Sequence, residues 1–212
     1  DPVHFKLLSS KSFVLKMSND NDFKTRDQLL VTGELLGERI HFIVNHWPSR
    51  RGGEFKSRPK RIQAALLCKS IVDSIQISEK NTKVIIMGDF NDDPTSPSIK
   101  DVLKAKSNPE FIGKDQLFNA MGNHFKNGIG TLAYRGQWNL FDQFIMTSTL
   151  LDIEKKYDDF TFHKSVIFNK SFLKNQKGNF KGYPYRTFVG SNFLGGYSDH
   201  FPVYIFLVKK SI

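Results

Sequence analysis

Asp89 and Asn91 follow the apolar run at residues 83–87 and stand two apart in Gly88-Asp89-Phe90-Asn91. On an extended chain that spacing turns both side chains to one face, so a carboxylate and a carboxamide supply an acceptor and a donor aimed at one point. Gly88-Asp89 and Asn91-Asp92-Asp93-Pro94 are also good turn chemistry, and the motif alone leaves both roles open. Asp142 lies inside Trp138-Asn139-Leu140-Phe141-Asp142-Gln143-Phe144-Ile145-Met146, where a buried charge needs a partner. A carboxylate that orients a histidine meets that need and raises the basicity of the imidazole. Asp199-His200 follows Gly195-Gly196-Tyr197-Ser198 and precedes another apolar run. That dipeptide suits a metal at Asp199 and a phosphate oxygen at His200. His46 closes a fourth run. Any one of these histidines could simply satisfy a buried hydrogen bond. Four polar positions, each at the end of an apolar strand, argue together for a site.

The elements that must carry them follow from hydrophobic pattern. Residues 13–17 and 28–35 read as strands, the second ending in a glycine-containing turn at 36–39. Residues 40–45 and 83–87 are short, continuously apolar strands of the kind buried on both faces. Between them a helix is expected to start with Ser57 as N-cap and Pro59 in its first turn. Its apolar stripe is Ile62, Ala65, Leu66, Val72 and Ile75. Residues 98–104 read as helical, and 140–146 and 201–208 as strands. Strand, helix, strand with apolar strands throughout implies α/β layers with covered sheet faces, and in such sheets the chemistry sits on loops at strand ends.

The 212 residues carry 31 Lys+Arg against 21 Asp+Glu, a surplus of +10. Residues 50–69 hold seven basic side chains with only Glu54 opposing, and residues 160–198 hold six with no carboxylate. A solvated face is the plain interpretation of either run; together they favour a phosphate-bearing partner. Aromatic residues interleave the second run (Phe172, Phe180, Tyr183, Tyr185, Phe188, Phe193, Tyr197), the arrangement that single-stranded nucleic acid uses for stacking. Most of those rings are nonetheless expected to pack in a core.

The composition is that of a folded domain rather than a disordered chain, with no repeat, no linker and no apolar run long enough to cross a bilayer. Cys68, the one cysteine, makes neither an internal disulfide nor a zinc cluster and is expected to pack as a small hydrophobe. The compartment stays open between the cytoplasm and export after signal-peptide removal. No H-E-x-x-H, G-x-x-x-x-G-K-[ST] or G-x-S-x-G motif occurs.

Four segments together resemble the endonuclease/exonuclease/phosphatase superfamily, the DNase I-like fold. They are Ile43-Val44-Asn45-His46-Trp47-Pro48, Met87-Gly88-Asp89-Phe90-Asn91, Leu140-Phe141-Asp142-Gln143-Phe144 and Ser198-Asp199-His200-Phe201-Pro202-Val203. They stand in the family's order, and the match looks closest to bacterial members with an N-H-W-P-S-R-R-G-G segment. The resemblance implies a four-layer α/β sandwich of two packed sheets. It implies that Asp89 orients or deprotonates an attacking water and that Asn91 holds the water and the phosphate. His200, backed by Asp142, and His46 would contact the scissile phosphate. Asp199 would help bind Mg²⁺ or Mn²⁺. Arg50, Arg51 and Arg58 are the expected substrate-binding cations.

The chain departs from the family pattern at its start. The usual first strand with an asparagine, and the second ending in a metal-binding glutamate, are not found before residue 40. Glu34 is the only strand carboxylate there, in surroundings that do not match. Residues 1–212 are therefore expected to be the C-terminal two thirds or so of a single domain, with the N-terminal strands, and the partner surface they provide, elsewhere in the same protein. The expected activity is metal-dependent hydrolysis of a phosphodiester or phosphomonoester by in-line water attack, nuclease-like in kind. A phospholipid-headgroup phosphodiesterase and a noncatalytic polyanion-binding module that keeps the fold are the alternatives.

Overall fold

The computed structural model describes residues 1–17 and 22–210. Strands β1 (Phe5–Phe13), β2 (Gln28–Leu35) and β3 (Glu38–His46) form an antiparallel meander. Leu36 and Gly37 turn β2 into β3 with positive φ at both, 46° and 87°, the backbone twist that a tight hairpin requires. Helix α1 (Glu54–Ser78) crosses over, and β4 (Val84–Asp89) returns parallel to β3. A short helical turn at Ser98–Val102, β5 (Leu117–Asn119), α2 (Gly122–Lys126) and the hairpin β6 (Leu132–Tyr134) and β7 (Gln137–Asn139) lead to β8 (Asp142–Thr147). Then come β9 (Thr161–Ile167), the small hairpin β10 (Phe188–Val189) and β11 (Asn192–Phe193), and β12 (Val203–Val208). The main sheet has the order β1-β2-β3-β4-β8-β5, and β12 and β9 pair as a second, antiparallel sheet.

The layers follow from strand alternation. Ile43, Val84, Ile86 and Ile145 face α1 and pack on Ala64, Ala65, Cys68, Ile71 and Val72. Ile40, Ile85 and Met146 face the other way, against Phe162, Ile205 and Leu207 of the second sheet. Successive side chains point to opposite faces, so β3, β4 and β8 need apolar residues on both, which is why they read as continuous apolar runs. The expected α/β sandwich is the observed fold class.

Several boundaries differ from the sequence expectation. The first strand is Phe5–Phe13, not 13–17. It is exposed along nearly its whole length and so carries no hydrophobic contrast, whereas Leu15 reaches the core from irregular backbone. Helix α1 starts a turn earlier than proposed, at Glu54 after Gly53, which leaves Pro59 inside the helix. The Ser57 hydroxyl does not cap; it donates back to the carbonyls of Gly53 at 2.7 Å and Glu54 at 3.2 Å. A glutamate in the first turn favours the earlier start through the helix dipole. The last two predicted strands begin two residues late, at Asp142 and Val203.

Candidate active site

β3 and β4 run parallel and end side by side, with His46 in register with Asp89. β8 runs antiparallel to β4 and begins there, with Asp142 in register with Asp89. Registered residues on neighbouring strands point to the same face, with strands about 4.8 Å apart. One row of the sheet therefore presents His46, Asp89 and Asp142 together, at the carboxyl end of a βαβ unit, where open α/β sheets bind ligands. Gly88 makes this approach of β3 and β4 possible. Its φ is +130°, and a Cβ there would lie 1.9 Å from the Asn45 carbonyl oxygen.

His200 comes to the row from the segment before β12. Its Nδ1 lies 2.7 Å from Asp142 Oδ2. With a carboxylate as acceptor, Nδ1 carries the proton, and Nε2 is left for other work. Ligand atoms of Asp89, Asp142 and His200 all lie within 4.8 Å of one another. His46 Nε2 stands 3.5 Å from Asp89 Oδ2, too long for a good hydrogen bond. Burial pushes the Asp89 carboxyl above its ordinary range, and the Asp142 charge adds to the effect, against the pull of the Asn91 N–H and the two histidines. Burial works against charge on His200 as well. There the hydrogen bond and charge of Asp142, with the charges of Asp89 and Asp199, outweigh it and raise the pKa. The result is a histidine held toward its cationic form beside a carboxylate short of positive charge.

Asn91 sits at 8% exposure with φ 51°, beyond the end of β4. The strand alternation that would have aimed it alongside Asp89 stops at Asp89. Instead the Asn91 N–H donates to Asp89 Oδ1 at 2.8 Å, and its side-chain amide donates to the Trp47 carbonyl at 3.0 Å. The turn chemistry thus positions Asp89. Trp47, 1% exposed, packs edge-on against Phe90 at 4.7 Å, and its indole donates to Asn45 Oδ1 at 2.9 Å. Asn-x-Trp spacing at the end of β3 was the signal for that support.

Asp199 is exposed next to His200 and lies outside the convergent trio. Arg50 is tied to the protein's own acids. It donates to the Asn91 carbonyl at 2.9 Å, to Asp92 at 3.2 Å and to Asp93 at 3.1 Å, and stacks on Phe141 at 4.4 Å. Arg58 makes a bidentate pair with Glu54 at 2.9 and 2.8 Å. Arg51 alone of the three lines an open groove. Glu34 pairs with Arg39 in the β2–β3 register, seven residues from His46, or roughly 23 Å at the rise of a strand. It serves no site at the other end of the sheet. The expectation that the late aromatics enter a core is also corrected. Phe172, Phe180, Phe188, Phe193 and Tyr197 are each more than half exposed. Strands β10 and β11 are too short to carry a layer, and the rings pack on one another instead, Phe188 on Phe193 at 5.3 Å and Phe172 on Tyr197 at 5.7 Å.

The sequence reading missed the network behind the row. Asp92 and Arg61 are both fully buried, with Arg61 Nε 2.7 Å from Asp92 Oδ1. The Ser98 hydroxyl donates to Asp92 Oδ2 at 2.6 Å, and Gln143 donates to the Asp92 carbonyl at 2.6 Å. Leu140 N–H donates to Asp93 Oδ1 at 2.8 Å. The signal available was a glutamine in the middle of an apolar strand.

A family model described as the Endonuclease/Exonuclease/phosphatase family matches residues 1–209. No curated protein is similar enough in sequence to match. Among solved structures, a humanized TDP2 of D. rerio superposes with a TM-score of 0.58 at 15% identity, over 97% of this chain and 68% of that one. A Bacteroides thetaiotaomicron mannosyl-6-phosphatase gives 0.56 at 15%, over 97% and 68%. The human Nocturnin catalytic domain, with bound sulfate, gives 0.52 at 16%, over 96% and 61%. At these identities the likeness is one of fold. The family model, which spans nearly the whole sequence, carries more: the chain belongs to the endonuclease/exonuclease/phosphatase family.

Proposed function

We propose that the protein is a divalent-metal-dependent hydrolase of phosphate esters, acting on phosphodiesters or phosphomonoesters with water as nucleophile. The observation that carries this reading is the convergence of Asp89, Asp142 and His200. Water attack on phosphorus needs a proton acceptor for the water and positive charge for the equatorial and leaving oxygens. Asp89, its carboxyl raised by burial and by Asp142, is matched to take the proton. His200, kept toward its cationic form by Asp142, offers Nε2–H to a phosphoryl oxygen. His46, half exposed at the rim of the row, holds the ester from the β3 side. No serine or cysteine nucleophile is needed, since positioning and charge supply the rate enhancement.

The donor set fits a hard divalent cation. Two carboxylate oxygens converge, one on a group in need of positive charge, and Mg²⁺ or Mn²⁺ takes oxygen ligands while keeping waters. Asp89 and Asp142 would hold it. Bound there, it would supply Lewis-acid polarisation of the phosphoryl oxygen and a more acidic water. A pure binding module has no need to bury carboxylates beside one another at this cost.

The test is hydrolysis of bis(p-nitrophenyl) phosphate and p-nitrophenyl phosphate with Mg²⁺ or Mn²⁺ and with EDTA. Asp89→Asn and His200→Ala should each lower the metal-dependent rate about 10²-fold or more. Full metal-dependent turnover in His200→Ala would overturn the assignment.

A further inference from the structure

A groove of about 870 Å³ opens past the end of β3, between the loop at 48–52, the first turns of α1 and the segment at 22–26. Five cations line it: Lys24, Arg26, Arg51, Lys56 and Lys60. Among the described residues none of the five makes an ion pair, and Asp22 is the one carboxylate in the lining. Glu54, the nearest acid on α1, is taken by Arg58 and Arg61. Lys60 lies over the Phe23 ring at 4.7 Å, which holds the 22–26 segment against the helix. Unpaired like charges gathered in a concave surface repel one another and focus a positive field. That arrangement favours an anion.

The groove is coupled to the site by covalent and hydrogen-bonded steps. Its rim residue Pro48 follows Trp47, whose N–H donates to the Asp89 carbonyl at 2.9 Å and whose carbonyl accepts from Asn91 at 3.0 Å. Arg50 clamps the same loop onto Asn91, Asp92 and Asp93. With Arg50 turned inward, its neighbour Arg51 lines the groove. Pro48 is two chain steps from His46, about 8 Å at most. The loop at 48–52 thus joins the end of the row to the rim of the groove.

We propose that this groove is a second-phosphate subsite. It engages a phosphate group borne by the substrate molecule away from the ester that is cut. The inference rests on the hydrolase reading for the place of the scissile phosphate, and on the groove's own charges for the rest. Two sources offer the same chemistry, a polynucleotide strand and a small ester with two phosphates.

Binding tests the subsite apart from catalysis. A fluorescein-labelled single-stranded oligonucleotide is titrated by anisotropy in EDTA over a salt series. The variant Arg26→Gln/Arg51→Gln/Lys56→Gln/Lys60→Gln is compared with Lys170→Gln/Lys177→Gln/Lys181→Gln/Arg186→Gln, which removes the same charge from the other basic tract. The groove variant should weaken binding at least tenfold more than its control. It should also flatten the log Kd–log salt slope by about 0.7 for each phosphate that the groove no longer neutralises. Fructose 1,6-bisphosphate is the competitor. Displacement of the oligonucleotide by it assigns the subsite to a small bisphosphate, and resistance to it assigns a polynucleotide. Equal losses in the two variants, or no loss in the groove variant, would overturn the subsite. Turnover of bis(p-nitrophenyl) phosphate, which has one phosphate, reports the hydrolase reading by itself. Its absence, with groove-dependent binding intact, would remove the hydrolase and leave the subsite.

Discussion

Replacing Arg61 by methionine should destabilise this protein without altering its exposed surface. Arg61 and Asp92 are both at 0% exposure, 2.7 Å apart. Breaking a buried pair from one side costs about 3–5 kcal/mol, because a charge is left in a medium that does not solvate it. Two features place Arg61→Met at the lower end. Asp92 keeps Arg50 at 3.2 Å and the Ser98 hydroxyl at 2.6 Å. The Arg61 Nε–H is also not aimed at the carboxylate and makes no hydrogen bond, so the contact is electrostatic alone. A loss of about 3 kcal/mol follows, or a fall in Tm of roughly 6–12 °C for a domain of this size. Asp92→Leu should cost as much or more, since among the described residues it leaves Arg61 with only Glu54 at 3.5 Å, and Arg50 with only Asp93, for a carboxylate. The double variant Arg61→Met/Asp92→Leu should lose at least about 1 kcal/mol less than the sum of the singles. Urea denaturation followed by tryptophan emission, to which Trp47, buried against Phe90, contributes, measures all four corners of the cycle. A cost below about 1 kcal/mol for Arg61→Met, or additivity in the double variant, would refute the claim that this pair holds the end of β4 in place.

Three further outcomes are expected. Asp142→Asn should lower the pKa of His200, followed by the NMR titration of its imidazole protons, because the carboxylate that outweighs burial is gone; an unmoved titration would refute the pairing. Glu38 accepts from Lys209 at 2.6 Å and Phe160 N–H at 3.0 Å and contacts Lys83. Burial raises its pKa, but these partners outweigh it and hold the carboxyl below the usual 4.5. Its stabilising effect is therefore full above that value and lost as pH falls through the lower folded one. The stability gap between the protein and Glu38→Gln, measured by urea denaturation, should close on acidification, and a constant gap would count against the ion cluster. Cys68, at 0% exposure with its thiol pushed up to about 12 by burial, should resist Ellman's reagent in the native state and react on unfolding; rapid native labelling would contradict the packing.

The apolar strands and the polar residues that end them are legible in the chain alone. β3, β4 and β8 are buried on both faces, so their continuous apolar runs stand out without any partner, and His46, Asp89 and Asp142 are the polar groups at their ends. That these ends share one row is not legible. Register between strands far apart in the chain is set by pairing and by the crossover through α1, and no local pattern encodes it. Charge is readable as a total and as two basic tracts, but not as a distribution of partners. Only the folded arrangement turns Arg50 inward to Asp92 and Asp93 while Arg51 faces a groove, since adjacent residues of the same type differ only in which acids the fold brings within reach. Packing likewise makes Asp92, which reads as a turn residue, a buried counter-ion. A carboxylate stays charged in a core only where a cation from another element meets it, and that meeting exists only once α1 lies across the sheet.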